Sequence, residues 1–152
     1  CIQNGLNLER KYRFTESEME ALRFWGILND IGKIAIPEYI LNKLGPLSSE
    51  ETEVMKSHPV AWYNLCLPLK KNLGQSLDVI RQHHEKLDRS GYPDGLKNED
   101  ISIALRIMSV VDIYDALVTD RVYREGLPLQ RAIEIVRQEV KKETLDELVV
   151  EK

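Results

Sequence analysis

Two short stretches of this sequence carry the residue types and spacing for chemistry. His83-His84-Glu85 sets two imidazoles and a carboxylate side by side. Neighbouring helix positions point about 100° apart, so both rings line one pocket only if the end of a helix faces it. Histidine is the usual nitrogen ligand of Zn, Fe or Mn; the plainer alternative is a partly exposed pair at a helix end. Asp112 lies within Val110-Val111-Asp112-Ile113-Tyr114-Asp115-Ala116-Leu117. A carboxylate in so apolar a run is expected to be buried, and then it must be paired, hydrogen-bonded or metal-bound. Asp115, three residues on, shares its face; an N-cap or a structural ion pair is the other reading. Asp30 fits a cap on the Ile31-Gly32 turn, and His58 fits a solvated helix terminus. Lys33, Arg121 and Arg124 are candidate cations that nothing local singles out.

The elements that must position these groups read as helices. Thr15-Glu16-Ser17-Glu18 has the form of a capping box, and Met19, Leu22, Trp25 and Leu28 continue a helix that ends near Asp30-Ile31-Gly32. Pro37 opens a short helix over Glu38 to Lys43, stopped by Gly45-Pro46. Ser48-Ser49-Glu50-Glu51 is a second capping box, whose helix runs to about Ser57 because Pro59 disfavours helical geometry at His58. Pro68 to Gly74 reads as a loop. Ser76 caps a helix carrying Val79, Ile80, His83, His84 and Leu87, and the turn-formers of 88–95 follow. Ala104, Ile107, Met108 and Val111 mark a helix with Asp112 and Asp115 embedded in it. Pro128 starts another, with Leu129, Ala132, Ile133, Val136 and Val140 on one face. With no β alternation, the expected fold is an all-α bundle.

A length of 152 residues suits one domain with a sizeable core. The chain begins with Cys1 rather than Met, so it reads as an excerpt of a longer protein. Hydrophobic residues make up 43% and charged residues 30%, as in ordinary globular chains, and no apolar run reaches membrane-spanning length. A net charge of −4 argues against a general affinity for DNA or RNA, while leaving room for a small anion held by a few placed cations. Two distant cysteines, Cys1 and Cys66, fit a reducing cytoplasm.

Taken together the residues resemble one family. The order Asn29-Asp30, Lys33, His58, His83-His84-Glu85, Gly91-Tyr92-Pro93, Asp112, Asp115, Arg121 is similar to that of the HD-GYP domain, a group within the HD superfamily of metal-dependent phosphohydrolases. HHEKLDRSGYPDGL resembles the family's HHE-x-x-D-G-x-G-Y-P-x-G-L, and VDIYDALVTDRVYR its D-x-Y-D-A-L-x-x-x-R-x-Y-R; DIGKIAIP and MKSHP complete the set. The resemblance runs from about Met19 to Val140. It implies an all-helical domain, a centre of two or three metals, usually iron or manganese, and hydrolysis of cyclic di-GMP. Carried over by position, Asp30 is implied to bridge two metals, His58, His83 and His84 to ligate the second, and Asp112 the first. Lys33 is implied to lie by the scissile phosphate with Asp115, Arg121 and Arg124 to be ligand-binding cations, and Tyr92 to stand in the loop beside the pocket. Diguanylate cyclase domains are an implied class of partner.

The sequence departs from the family in three places. Asn29 stands where the motif begins with histidine, and a neutral amide oxygen is a poor ligand for a divalent transition ion. The family also draws a ligand histidine from an upstream helix, whereas the 28 residues before Asn29 contain none. Arg89 replaces a loop glycine, which implies a distorted loop. The expectation is therefore a single HD-GYP domain over residues 1–152, lacking its first metal-ligand helix, with one or two bound ions and hydrolysis impaired at Asn29. The alternatives are an inactive module that binds cyclic di-GMP or a diguanylate cyclase, and a one-metal phosphohydrolase acting on another, related nucleotide.

Overall fold

The computed structural model describes residues 14–16, 19–20, 22–23, 31–74, 76–120 and 124–151. Asn29, Asp30 and Arg121 therefore lie outside the described residues, as does most of the first expected helix. At its start the Met19 amide donates to the Thr15 carbonyl at 3.0 Å, the bond of a first helical turn.

The described chain is helical, and among the described residues it has no sheet. A 3-10 turn, Ile31–Ala35, leads to α1 (Glu38–Leu41). α2 (Ser49–Lys56) starts from a complete capping box: the Ser48 hydroxyl accepts from the Glu51 amide at 3.2 Å, and the Glu51 carboxylate accepts from the Ser48 amide at 2.7 Å. Next come α3 (His58–Cys66), α4 (Lys70–Leu73) and α5 (Ser76–Gln82). α6 (Ile103–Val118) is capped by Ser102, α7 (Leu129–Lys141) follows Pro128, and α8 (Glu147–Val150) is capped by Asp146.

Four expectations need correction. Pro59 does not take His58 out of helical geometry; His58 is the first residue of α3. A proline in the first turn lacks an amide that the helix leaves unpaired there anyway, so Pro59 starts a helix rather than ending one. Residues 67–73 are not a loop but a 3-10 turn followed by α4, closed by Gly74 at φ 50°. α5 stops at Gln82, so His83 and His84 hang just beyond its C-terminus, where adjacent side chains are freed from helical spacing. Ser76 belongs to α5 as its first, buried residue.

The core explains these positions. Trp62 and Cys66 of α3 pack on Leu77 and Ile80 of α5. Val79 on the next face of α5 packs on Leu105 and Met108 of α6. α6 reaches α8 through Ile107 and Val149. On α7 only Ala132 and Val136 are fully covered, while Leu129 and Ile133 of the same stripe remain exposed. Gly32 lets the 3-10 turn touch α3: a Cβ there would sit 2.6 Å from the His58 carbonyl oxygen.

Candidate functional site

Each histidine is delivered by a helix end. His58 opens α3, and His83 and His84 follow α5, so the packing of those two helices brings the three rings together. Their ligating nitrogens all lie within 4.8 Å of one another, a set able to hold a metal ion. His58 and His83 are buried, and each places Nδ1 2.8 Å from a backbone carbonyl, Met55 and Ile80 respectively. The tautomer that satisfies those carbonyls carries its proton on Nδ1 and leaves Nε2 as a lone pair, the usual preparation of a ligand imidazole.

His84 sits between two acceptors. Its Nε2 is 3.2 Å from His58 Nε2, and its Nδ1 is 3.4 Å from the Asp112 carboxylate. Burial, then the neighbouring His83, His58, Lys33 and Lys86, push its pKa down to about 2, so the ring is neutral. A neutral imidazole has one N–H and cannot serve both sides. Three imidazoles beside a carboxylate make a donor set that fits a divalent transition metal.

A cleft of about 250 Å³ opens beside the cluster, lined by His83, His84 and Asp112 together with Lys56, Lys86 and Tyr92. The Tyr92 ring stacks on His84 with centroids 4.8 Å apart. Burial, with Asp112 adding, pushes the Tyr92 phenol well above its ordinary pKa, so it stays a neutral hydroxyl.

Glu85 holds the loop that carries Tyr92. Its side chain is buried, and its two oxygens accept from the amides of Asp94 (2.6 Å), Gly95 (3.1 Å) and Leu96 (2.8 Å). Gly91 is required by contact, since a Cβ would come 2.4 Å from the Lys86 nitrogen and 2.5 Å from Glu85 Cα. Outside, Arg81 forks onto Asp94 at 2.6 and 2.9 Å, and this bond lowers the Asp94 pKa. Ser109 ties α6 to the histidine segment, its Oγ lying 3.2 Å from the carbonyls of both His83 and Glu85. Arg89 in this loop adopts φ 69°, a left-handed conformation that is strained for a residue with a Cβ.

The structure thus brings His58, His83, His84, Asp112 and Tyr92 into one site, and the charge of Lys33 acts on His84. Asp115 is exposed and accepts from the Thr119 hydroxyl at 3.3 Å; it is not among the described residues lining the cleft. Nor is Arg124, whose guanidinium donates to the carbonyls of Ala116, Leu117 and Glu125. Sequence reasoning gave no role to Glu85, Lys56, Lys86 or Ser109. Only Glu85 carried a signal, as the third residue of the His-His-Glu string.

Comparison with known proteins shows the family. Residues 6–149 match the HD domain family. A cyclic di-GMP phosphodiesterase of Pseudomonas aeruginosa is 41% identical over 71% of this chain and 26% of its own length. The cyclic di-GMP phosphodiesterase response regulator RpfG of Xanthomonas campestris is 40% identical over 78% of this chain and 32% of its own. The 3'3'-cGAMP-specific phosphodiesterase 1 of Vibrio cholerae is 35% identical over 95% of this chain and 32% of its own. The chain thus spans between a quarter and a third of these relatives. The fold is shared with Bd1817, a HDG"Y"P protein from Bdellovibrio bacteriovorus, at a TM-score of 0.71 and 23% identity, over 94% of this chain and 45% of that one. This chain belongs to the HD domain family, with the motif set of its HD-GYP group.

Proposed function

We propose that this chain is a metal-dependent phosphohydrolase domain of the cyclic di-GMP phosphodiesterase class, with hydrolysis weakened by Asn29. The observation that carries the reading is the convergence of three imidazoles on one point beside Asp112 and a cleft. His58, His83 and His84, with Asp30, are the proposed holders of one firmly bound ion, iron or manganese by the family resemblance. Bound there, such an ion supplies Lewis acidity and a water acidic enough to attack a phosphodiester near neutral pH.

The chain's own residues do the rest. The Met55 and Ile80 carbonyls fix the orientation of His58 and His83. Asp112 faces His84 and is the carboxylate proposed for the first, depleted metal position. Lys33 is proposed to add positive charge where the phosphate gains negative charge in the transition state. Tyr92 shields His84, and Glu85 holds the Tyr92 loop in place. Asp115, Arg121 and Arg124 remain proposed ligand-binding residues on the resemblance.

A second reading is favoured by Asn29: a module that binds cyclic di-GMP, or a diguanylate cyclase partner, without turnover. Among the described residues no helix is long and apolar enough to cross a membrane, and a cytoplasmic setting is proposed on the cysteine usage alone. The deciding experiment is elemental analysis of the purified protein together with an assay for linear dinucleotide product from cyclic di-GMP. Metal with product supports the phosphohydrolase; binding without product supports the module.

A further inference from the structure

We infer that Lys56 and Lys86 form a cationic rim on the cleft that holds the phosphodiester of a cyclic dinucleotide that is not being cleaved. The inference rests on the proposed reading of the cleft as a cyclic dinucleotide site, and it adds two residues to which the sequence motifs gave no role.

Both lysines line the cleft, and both are tied to the histidine cluster by short pieces of chain. Lys56 precedes His58 by two residues at the end of α2, and Lys86 follows His84 by two. Lys56 Nζ lies 5.9 Å from the centroid of the Tyr92 ring, the same ring that stacks on His84.

The cleft's carboxylates are otherwise engaged. Glu85 spends both oxygens on three backbone amides, and Asp112 faces His84. The lysines' own acidic partners lie outside the lining. Lys56 pairs with Glu53 at 2.8 Å, with side chains 41% and 72% exposed. Lys86 lies 3.9 Å from Glu139, which Lys142 and Thr144 already satisfy at 2.7 and 2.9 Å. The exposed Lys56 pair is weak, and the Lys86 contact is long to a carboxylate with closer partners, so both ammonium groups can turn to a phosphate at little cost. A chain of net charge −4 thus presents two ammonium groups at the mouth of its imidazole-lined cleft. Cyclic di-GMP has two phosphodiesters; the histidine centre can take one, and the second needs a cationic contact of its own.

The test is the affinity of the metal-loaded protein for cyclic di-GMP, measured by calorimetry on the parent, Lys56→Gln, Lys86→Gln, the double glutamine variant and the double arginine variant. Metal content and thermal unfolding are recorded alongside. Each glutamine should weaken binding by about tenfold, the loss of one charge-assisted bond. The double glutamine should weaken it further, and the double arginine should restore it, with metal content and melting temperature unchanged throughout. Glutamine variants that bind as tightly as the parent overturn the inference and leave the cleft reading standing. Arginine variants as weak as the glutamine ones also overturn it, because then charge is not what matters. A parent that binds no cyclic di-GMP overturns the cleft reading, and the inference with it.

Discussion

The phenol ring of Tyr92 lies on the face of the His84 imidazole, with 4.8 Å between centroids and 28° between planes. The nitrogens of His84 point elsewhere, Nε2 to His58 and Nδ1 to Asp112. Tyr92 therefore covers a proposed ligand without competing for its lone pairs. Tyr92→Ala should leave metal content per chain unchanged in elemental analysis, while weakening cyclic di-GMP binding by about tenfold through loss of the cleft wall. A folded Tyr92→Ala protein without metal would mean that the ring, not the imidazole set, holds the ion in place.

The depressed pKa of His84 makes metal-stripped protein acid-sensitive. The group titrates at about 2 in the folded chain and near 6.5 when unfolded, so the unfolded state binds more protons between those values. Stability is full above 6.5 and falls as pH drops through that window, by at most about 1.4 kcal/mol per pH unit from this one group. Denaturant midpoints of chelator-treated protein should fall from pH 7 to pH 5, and His84→Gln should flatten that decline. Equal slopes for the two proteins would exclude His84 as the source.

Glu85 is buried against three backbone amides, and Glu85→Gln would turn an amide donor toward donors. The substitution should cost about 2–4 kcal/mol, the range for charge-assisted bonds in a buried setting. Limited proteolysis should then cut within residues 88–97, where the parent resists. Intact resistance with unchanged stability would show that Arg81 and Asp94 alone hold the loop.

Arg89 adopts φ 69°, a conformation that glycine takes without strain. Arg89→Gly should raise unfolding stability by about 0.5–1 kcal/mol, the left-handed penalty less the chain entropy glycine adds to the unfolded state. Equilibrium denaturation measures it, and a destabilised variant would mean that the Arg89 side chain contributes more than its backbone costs.

Local signals made much of this structure readable. Ser48 and Glu51 mark a helix start that forms as written, and the stripe through Ala104, Ile107 and Met108 carries Asp112 to the cleft. The histidines were readable as a set only through motif order, because nothing local tells that two helix ends will meet. Pro59 was misread because the same residue stops one helix and starts another, depending on which turn it occupies. Glu85 was overlooked because its partners are backbone amides nine to eleven residues away, and a backbone amide has no residue type to recognise. Lys56 and Lys86 resemble any surface lysine until the cleft between them is seen.

Asn29 bears on whether the domain turns over its ligand. The proposed second metal position has three imidazoles, whereas Asp112 is the one described carboxylate proposed for the first. An amide oxygen is a far weaker ligand for Fe or Mn than an imidazole nitrogen. Asn29→His should therefore raise metal content above one ion per chain and increase the rate of linear dinucleotide formation. Adding Lys33→Ala to Asn29→His should then remove most of the recovered rate, about a hundredfold, with little change in affinity, since a charge aimed at the reacting phosphate acts on the transition state more than on the bound substrate. Metal content, affinity and product formation should be compared for the parent, Asn29→His, and the double variant. A parent that already hydrolyses cyclic di-GMP as fast as Asn29→His would show that the asparagine is no impairment, and the non-hydrolysing module would then have to be abandoned.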